Sequence, residues 1–179
     1  VRESRLRWPA HVPQNLVGQP VTRVARRAKY ILLTTPLGTL IIHLGMSGSL
    51  RLVEPDTEVK THDHIDLALS SGRCLRYNDP RRFGSFHFHP TDDPQPHWLL
   101  ADLGPEPLGN EFSGEHLFQQ SRKRRSAVKS HIMDSKVVVG VGNIYAAEAL
   151  FSAGIRPTVQ ACRVTRVGYE KLARAIATI

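Results

Sequence analysis

The hydrophobic period of this chain switches partway along, from two residues to the helical repeat, and the switch falls on a proline-rich stretch. Before it, short runs rich in β-branched, aromatic and aliphatic residues follow one another: Val21 to Arg26, Tyr30 to Thr35, Thr39 to Leu44, Ser49 to Val53, His64 to Leu69, Cys74 to Tyr77 and Ser85 to His89. Turn chemistry separates them, as in Thr35-Pro36-Leu37-Gly38, Ser71-Gly72 and Asn78-Asp79-Pro80. His64 to Leu69 alternates with period two, the pattern of a strand with one wet face. Short strands at this spacing predict an antiparallel sandwich or barrel. Pro94, Pro96, Pro105 and Pro107 then remove backbone donors and hold φ, which predicts a connector. After it, Ser113 opens a helix and Ser126 is placed to cap a second, running through Asp134. Asn143 is placed to cap a third over Ile144 to Ala153, with Ile144, Ala147, Leu150 and Phe151 at helical spacing and Gly154 ending it. Thr165 opens a fourth, with Leu172, Ala175 and Ile176 on one face. The expected class is α+β: an N-terminal antiparallel β-sandwich over 1–103, a connector over 104–111 and a helical unit over 112–179.

Composition narrows the functions open to such a chain. At 41% hydrophobic residues it can bury a core. No apolar run reaches the roughly 20 residues of a membrane span, and the first residues show no apolar signal region, so no membrane partner is expected. Cys74 and Cys162 are far apart and neither sits in a C-x-x-C pair, which argues against a disulfide framework or a cysteine zinc site within these residues and for a reducing, cytoplasmic setting. A formal net charge of +8, with Arg122-Lys123-Arg124-Arg125, Lys129 and Lys136 close together, points to a polyanionic partner.

Five constellations bear chemistry. Val138-Val139-Gly140-Val141-Gly142-Asn143 leads two glycines into a helix start, where free N–H groups and partial positive charge suit a phosphate; a packed helix–helix turn is the alternative. Asn78-Asp79-Pro80-Arg81-Arg82-Phe83-Gly84 puts two arginines and an aromatic on a turn, a device for gripping phosphate and unstacking bases, or a hairpin with Phe83 tucked beneath the sheet. Gly45-Met46-Ser47-Gly48 brackets a methionine that is either a second wedge or part of the core. Lys29 opens an apolar strand and suits phosphate binding or proton transfer, or is a plain surface lysine. His62 and His64, with His87 and His89, form two H-x-H pairs that alternate as metal ligands on a strand do, although a histidine can reach a phosphate without metal.

In this order the segments R-R-A-K-Y at 26–30, I-I-H-L-G-M-S-G-S-L-R at 41–51, H-D-H at 62–64, D-P-R-R-F-G at 79–84, L-G-P-E-P-L at 103–108 and V-V-G-V-G-N-I-Y-A at 138–146 resemble bacterial formamidopyrimidine-DNA glycosylase. The D-P-R-R-F-G turn favours that branch over the related endonuclease VIII branch. The resemblance implies a β-sandwich followed by a helical domain with a helix–two-turn–helix element, with duplex DNA in a basic cleft between them. It implies base-excision repair by a bifunctional glycosylase and abasic-site lyase, acting on 8-oxoguanine and formamidopyrimidines through base flipping, a Schiff base and β,δ-elimination. Residue by residue, Lys29 matches the lysine that contacts phosphate and assists elimination. Met46, Arg81 and Phe83 match the residues that fill the hole left by the flipped nucleotide. His43, His62, Arg81 and Asn143 match phosphate contacts; Arg124 stands where the family often has a lysine, and Lys129 adds to that surface.

The departures are as informative. The family's nucleophilic N-terminal proline and adjoining glutamate are not matched by Val1-Arg2-Glu3; the stretch Glu3 to Pro9 resembles a segment well inside the family's first domain, so Glu3 is not that glutamate. The four-cysteine zinc finger and the loop that caps the flipped base are unmatched as well, so zinc is expected in a longer parent, on ligands beyond Ile179, with no metal in these residues. The chain reads as the middle of a monomeric bacterial enzyme, inactive by itself, whose partner is duplex DNA with oxidised purines or abasic sites. Two other readings stand beside it: a non-catalytic damaged-DNA-binding module, and a β-sandwich metalloenzyme using His62, His64, His87 and His89.

Overall fold

The computed structural model describes residues 6–8 and 10–179. Glu3 and Pro9, which bound the stretch matched to the family's interior, lie outside them. The chain forms two compact units, one through His97 and one from Trp98 to Ile179. The division falls ahead of the 1–103 and 104–111 limits read from proline content. The start of the connector is bonded into the helical unit: Gly104 N–H donates to Ser135 O at 2.8 Å and Val139 N–H to Pro105 O at 3.1 Å, and Leu100, just before it, is buried.

The first unit holds β1 (Arg23–Arg27), β2 (Tyr30–Thr35), β3 (Gly38–His43), β4 (Ser49–Val53), β5 (Asp63–Ala68), β6 (Cys74–Asn78) and β7 (Ser85–His89). Two antiparallel sheets result, β1-β2-β3-β7 and β4-β6-β5. Alternate residues share a face, so Ile31, Leu33, Leu40, Ile42 and Phe86 of one sheet meet Ile65, Tyr77, Leu50 and Leu67 of the other in a common core. The alternation expected of His64 to Leu69 is broken at its start. A register shift between Asp63 and Ile65 turns both His64 and Ile65 inward.

The second unit holds α1 (Gly114–Ser121), α2 (Val128–Ile132), α3 (Asn143–Ser152) and α4 (Arg166–Thr178) around Leu117, Ile132, Leu150, Tyr169 and Leu172. Ser113 and Thr165 cap α1 and α4 as their spacing predicts, accepting from His116 N–H and Gly168 N–H, each at 3.1 Å. Two caps differ from expectation. Ser126 does not cap α2, because Ala127 pairs with Gln160 and Val128 N–H is taken by Val159 O at 2.7 Å, so Ala127 holds the cap position and the helix starts at Val128. Asn143 is the first residue of α3, and Gly142 holds the extended cap position. The buried stripe of α3 is Ala146, Ala149 and Leu150; Ile144 is 71% and Phe151 89% exposed, so of the residues read as its core face only Leu150 is buried. Among the described residues no helix is long and apolar enough to cross a membrane.

Candidate nucleic-acid interface

Strand register carries six of the candidate residues to one end of the sheet unit. Across the first sheet Arg27, Tyr30, His43 and Ser85 lie in one row; across the second, Ser49, Asn78 and Asp63 do. Every loop leaving that row holds a candidate. Lys29 is exposed in the two-residue β1–β2 turn beside Ala28, whose φ of 52° is left-handed. Met46 lies in the β3–β4 loop, His62 immediately before β5, and Arg81 and Phe83 between β6 and β7.

Met46 is 72% exposed, so it is no core methionine. Phe83 is half-buried, with the Arg81 guanidinium 5.1 Å and the Arg7 guanidinium 5.6 Å from its ring centroid. The two loops touch: a Cβ on Gly45 would lie 2.7 Å from Gly84 N. They are also bonded, since Ser47 Oγ–H donates to Asp79 Oδ1 at 2.6 Å and accepts from Arg81 N–H at 3.2 Å. The positive φ of Arg82, 61°, lies inside this turn and is held by Arg82 N–H donating to Asp79 O at 3.2 Å.

His43 ends β3 beside Tyr30, with ring centroids 5.0 Å apart. Burial first, and then the charge of Lys29, push its pKa below the ordinary histidine range, so the ring is neutral near pH 7. Gly45 N–H donates to His43 Nδ1 at 3.1 Å, which puts the ring proton on Nε2 as a free donor. A neutral N–H suits a phosphate oxygen without an added charge to desolvate. His62 Nδ1 is buried without a hydrogen-bond partner among the described residues, and His62 O accepts from Asp79 N–H at 3.0 Å. His64 is spoken for: buried, it donates Nε2–H to Asp79 O at 2.9 Å. Among the described residues no three His, Cys, Asp or Glu side chains converge as a metal site. His87 and His89 lie instead near His97, at 5.7 Å between ring centroids in each pair.

In the helical unit the start of α3 offers anion chemistry. Gly140 has φ of 81°, a conformation open to glycine, and turns the buried Val137 to Val139 run into the helix. The first intrahelical bond runs from Ala146 N–H to Gly142 O, which leaves the N–H groups of Asn143, Ile144 and Tyr145 without a helical acceptor. Asn143 is exposed, Arg124 is exposed, and Lys129 is half-buried on α2. Arg122 is different. Its guanidinium donates to Phe118 O at 2.9 Å, Cys162 O at 3.0 Å and Val164 O at 3.1 Å, and lies 3.7 Å over the Phe118 ring. It staples α1 to the segment before α4 and, with a further bond to Ser121 Oγ at 2.7 Å, spends four of its five N–H donors there.

Sequence reasoning overlooked Asp79, Ser47 and Tyr77 as parts of this end, and Arg122 as structure. An Asp-Pro pair entering a turn signals a side chain that accepts turn N–H groups. A basic residue just past a helix end signals a carbonyl cap.

The comparisons divide the chain at nearly the same place as its contacts. Residues 1–86 match the formamidopyrimidine-DNA glycosylase N-terminal domain and residues 103–179 the formamidopyrimidine-DNA glycosylase H2TH domain. Formamidopyrimidine-DNA glycosylase of Thioalkalivibrio sulfidiphilus is 55% identical over 185 residues, and that of Syntrophotalea carbinolica 57% over 180; each alignment covers 98% of this chain and 65% of the relative. The chain therefore spans about two thirds of the relatives' length. Among solved structures, MutM (Fpg) of Thermus thermophilus superposes with a TM-score of 0.83 at 34% identity, over 99% of this chain and 64% of that one. Lactococcus lactis Fpg in complex with Fapy-dG containing DNA superposes at 0.86 with 30% identity, over 92% and 62%. In both of its units, by sequence and by fold, this chain belongs to the formamidopyrimidine-DNA glycosylase family.

Proposed function

We propose that these residues form the DNA-engaging part of a base-excision glycosylase and abasic-site lyase for oxidised purines, whose partner is duplex DNA holding 8-oxoguanine, a formamidopyrimidine or an abasic site. The observation that carries this reading is the pair of bonded loops presenting Met46, Arg81 and Phe83 at one end of the sheet unit. Chemistry on a base requires it to leave the stack, at a cost of a few kcal/mol per step. An exposed thioether, a guanidinium and an aromatic ring on two bonded loops suit the space it vacates, with apolar surface against neighbouring bases and donors toward the orphaned partner. His43 Nε2–H, His62, Arg124, Lys129, Asn143 and the free N–H groups of α3 hold backbone phosphates. Lys29 adds a phosphate contact and an ammonium for proton transfer during elimination.

The bond-breaking amine and the zinc finger belong, in this proposal, to the parts of the relatives that this chain does not span. Cys74 is buried in the sheet unit and Cys162 is in the helical unit, so these residues do not supply a zinc site of four cysteines. The setting is the bacterial cytoplasm. Borohydride trapping on an abasic or 8-oxoguanine duplex tests the reading: an adduct with the longer parent and none with the 179-residue chain is expected. No adduct with either would favour a non-catalytic binding module, and steady excision of 8-oxoguanine by the chain alone would refute the proposed division of labour.

A further inference from the structure

One side chain at this end of the molecule carries more bonding than its place in a turn requires. Asp79 is fully buried, and every polar atom it has is used. Its N–H donates to His62 O at 3.0 Å, and its carbonyl accepts from His64 Nε2 at 2.9 Å and Arg82 N–H at 3.2 Å. Carboxylate Oδ1 accepts from Ser47 Oγ at 2.6 Å and Arg81 N–H at 3.2 Å. Carboxylate Oδ2 accepts from the Tyr77 hydroxyl at 2.9 Å and Gly84 N–H at 2.9 Å. These bonds reach the β3–β4 loop that bears Met46, the turn that bears Arg81 and Phe83, and the residue before β5, His62. An ionised carboxylate has about four lone-pair sites, and here four donors converge on it. An amide would turn an N–H₂ toward one of those donors.

We propose that Asp79 is a positioning residue: its carboxylate locks the Met46 loop and the Arg81–Phe83 turn into one body, so that all three side chains enter the duplex together. This rests on the proposed function, since it assigns Asp79 to the gap-filling step and to no phosphate contact. A loose turn still grips phosphates through its arginines. What it loses is the ability to fill a vacated space, which needs the three side chains at fixed mutual distances. Asp79 therefore governs discrimination between gapped and intact duplex rather than general affinity.

The test compares the chain's affinity for a duplex holding a tetrahydrofuran abasic analogue with that for the intact duplex. Asp79→Asn should lower this ratio about tenfold, the loss expected when a buried charge-assisted hydrogen bond is replaced by a donor–donor contact, while affinity for intact duplex and its salt slope stay as in the wild type. Should Asp79→Asn fail to fold, Ser47→Ala removes only the arm between the two loops and should lower the ratio severalfold with the melting temperature nearly unchanged. Arg81→Ala and Met46→Ala separate this inference from the reading beneath it. If they reduce the ratio and the folded Asp79→Asn or Ser47→Ala proteins do not, the positioning role is overturned. If the wild-type chain has no preference for the gapped duplex, or none that Arg81→Ala and Met46→Ala alter, the DNA reading itself falls. An equal loss of affinity for both duplexes would assign Asp79 to general folding and overturn its role in discrimination.

Discussion

Gly84→Ala is the smallest change that strikes the bonded loops at their centre. The added Cβ would overlap the Tyr77 hydroxyl oxygen and lie 2.6 Å from Tyr77 Cζ and 2.8 Å from His43 O. Tyr77 is fully buried and its one hydroxyl proton is shared between Asp79 Oδ2 and Leu44 O, so neither it nor the β3 backbone can yield freely. Overpacking of this kind costs about 1–3 kcal/mol. Displacing the hydroxyl also deprives a buried carboxylate of a donor, for about 1.5–3 kcal/mol more. Together these give on the order of 2.5–6 kcal/mol, a large share of the stability of a single domain. Gly72→Ala is the control: its φ of 82° strains an L residue, but nothing lies within 4 Å of the new Cβ, so it should cost about 1–2 kcal/mol. Urea unfolding by far-UV circular dichroism, with hydrogen exchange read on sheet-unit amides, assigns the loss to the correct unit. The double variant Gly84→Ala/Tyr77→Phe removes the overlapping oxygen and should be more stable than the sum of its single changes by about 1–2 kcal/mol. Equal destabilisation by Gly84→Ala and Gly72→Ala, or strict additivity with Tyr77→Phe, would refute the packing described here.

Other outcomes follow from the same geometry. Arg122→Ala strands the carbonyls of Cys162 and Val164, while Phe118 O keeps the Ser121 hydroxyl, and should cost the helical unit about 2–4 kcal/mol in urea, whereas Arg124→Ala should leave stability within about 0.5 kcal/mol and weaken DNA binding. Lys129→Ala should reduce the slope of log K against log salt by about 0.9, one phosphate contact, in a fluorescence-anisotropy titration. Burial, ahead of smaller terms of both signs, holds the His131 pKa below the ordinary 6.5; the unfolded chain then takes up this proton first, so the helical unit is fully stable above pH 6.5 and loses stability as pH falls from there toward the folded pKa. His131→Gln should flatten that slope in thermal melts recorded across pH.

Much of the fold was legible because its signals are local. Seven short runs rich in β-branched, aromatic and aliphatic residues became seven strands, with ends displaced by at most two residues. Ser113 and Thr165 cap because each needs only an N–H three residues on. Ser126 fails through a long-range event, the pairing of Ala127 with Gln160, which no local pattern announces. In α3 the helical period was right and its phase was not. Large apolar residues were read as the core face, yet alanines at 146 and 149 are what is buried and Ile144 and Phe151 face out. Helical spacing fixes a stripe's period, and only neighbouring packing decides which stripe is covered.

The candidate site was legible in its side chains and illegible in its supports. Met46 lies between two glycines, and sequence favours the core for a methionine while leaving the tip open; exposure resolves that because β3 ends at His43 and the chain must turn before β4 begins at Ser49. The basic run shows the converse failure. Arg122 and Arg124 contribute the same charge to the composition, but Arg122 spends its donors on three backbone carbonyls while Arg124 remains exposed. Asp79 is the sharpest instance. In sequence it is one acidic residue in a basic turn, subtracting from the charge that suggests nucleic acid. In the fold, burial raises its pKa, but hydrogen bonds from Ser47, Gly84, Tyr77 and Arg81 outweigh that and hold it below the ordinary carboxylate range. The acidic residue that composition counts against a polyanionic partner is thus the one whose carboxylate accepts from both loops at this end of the sheet unit.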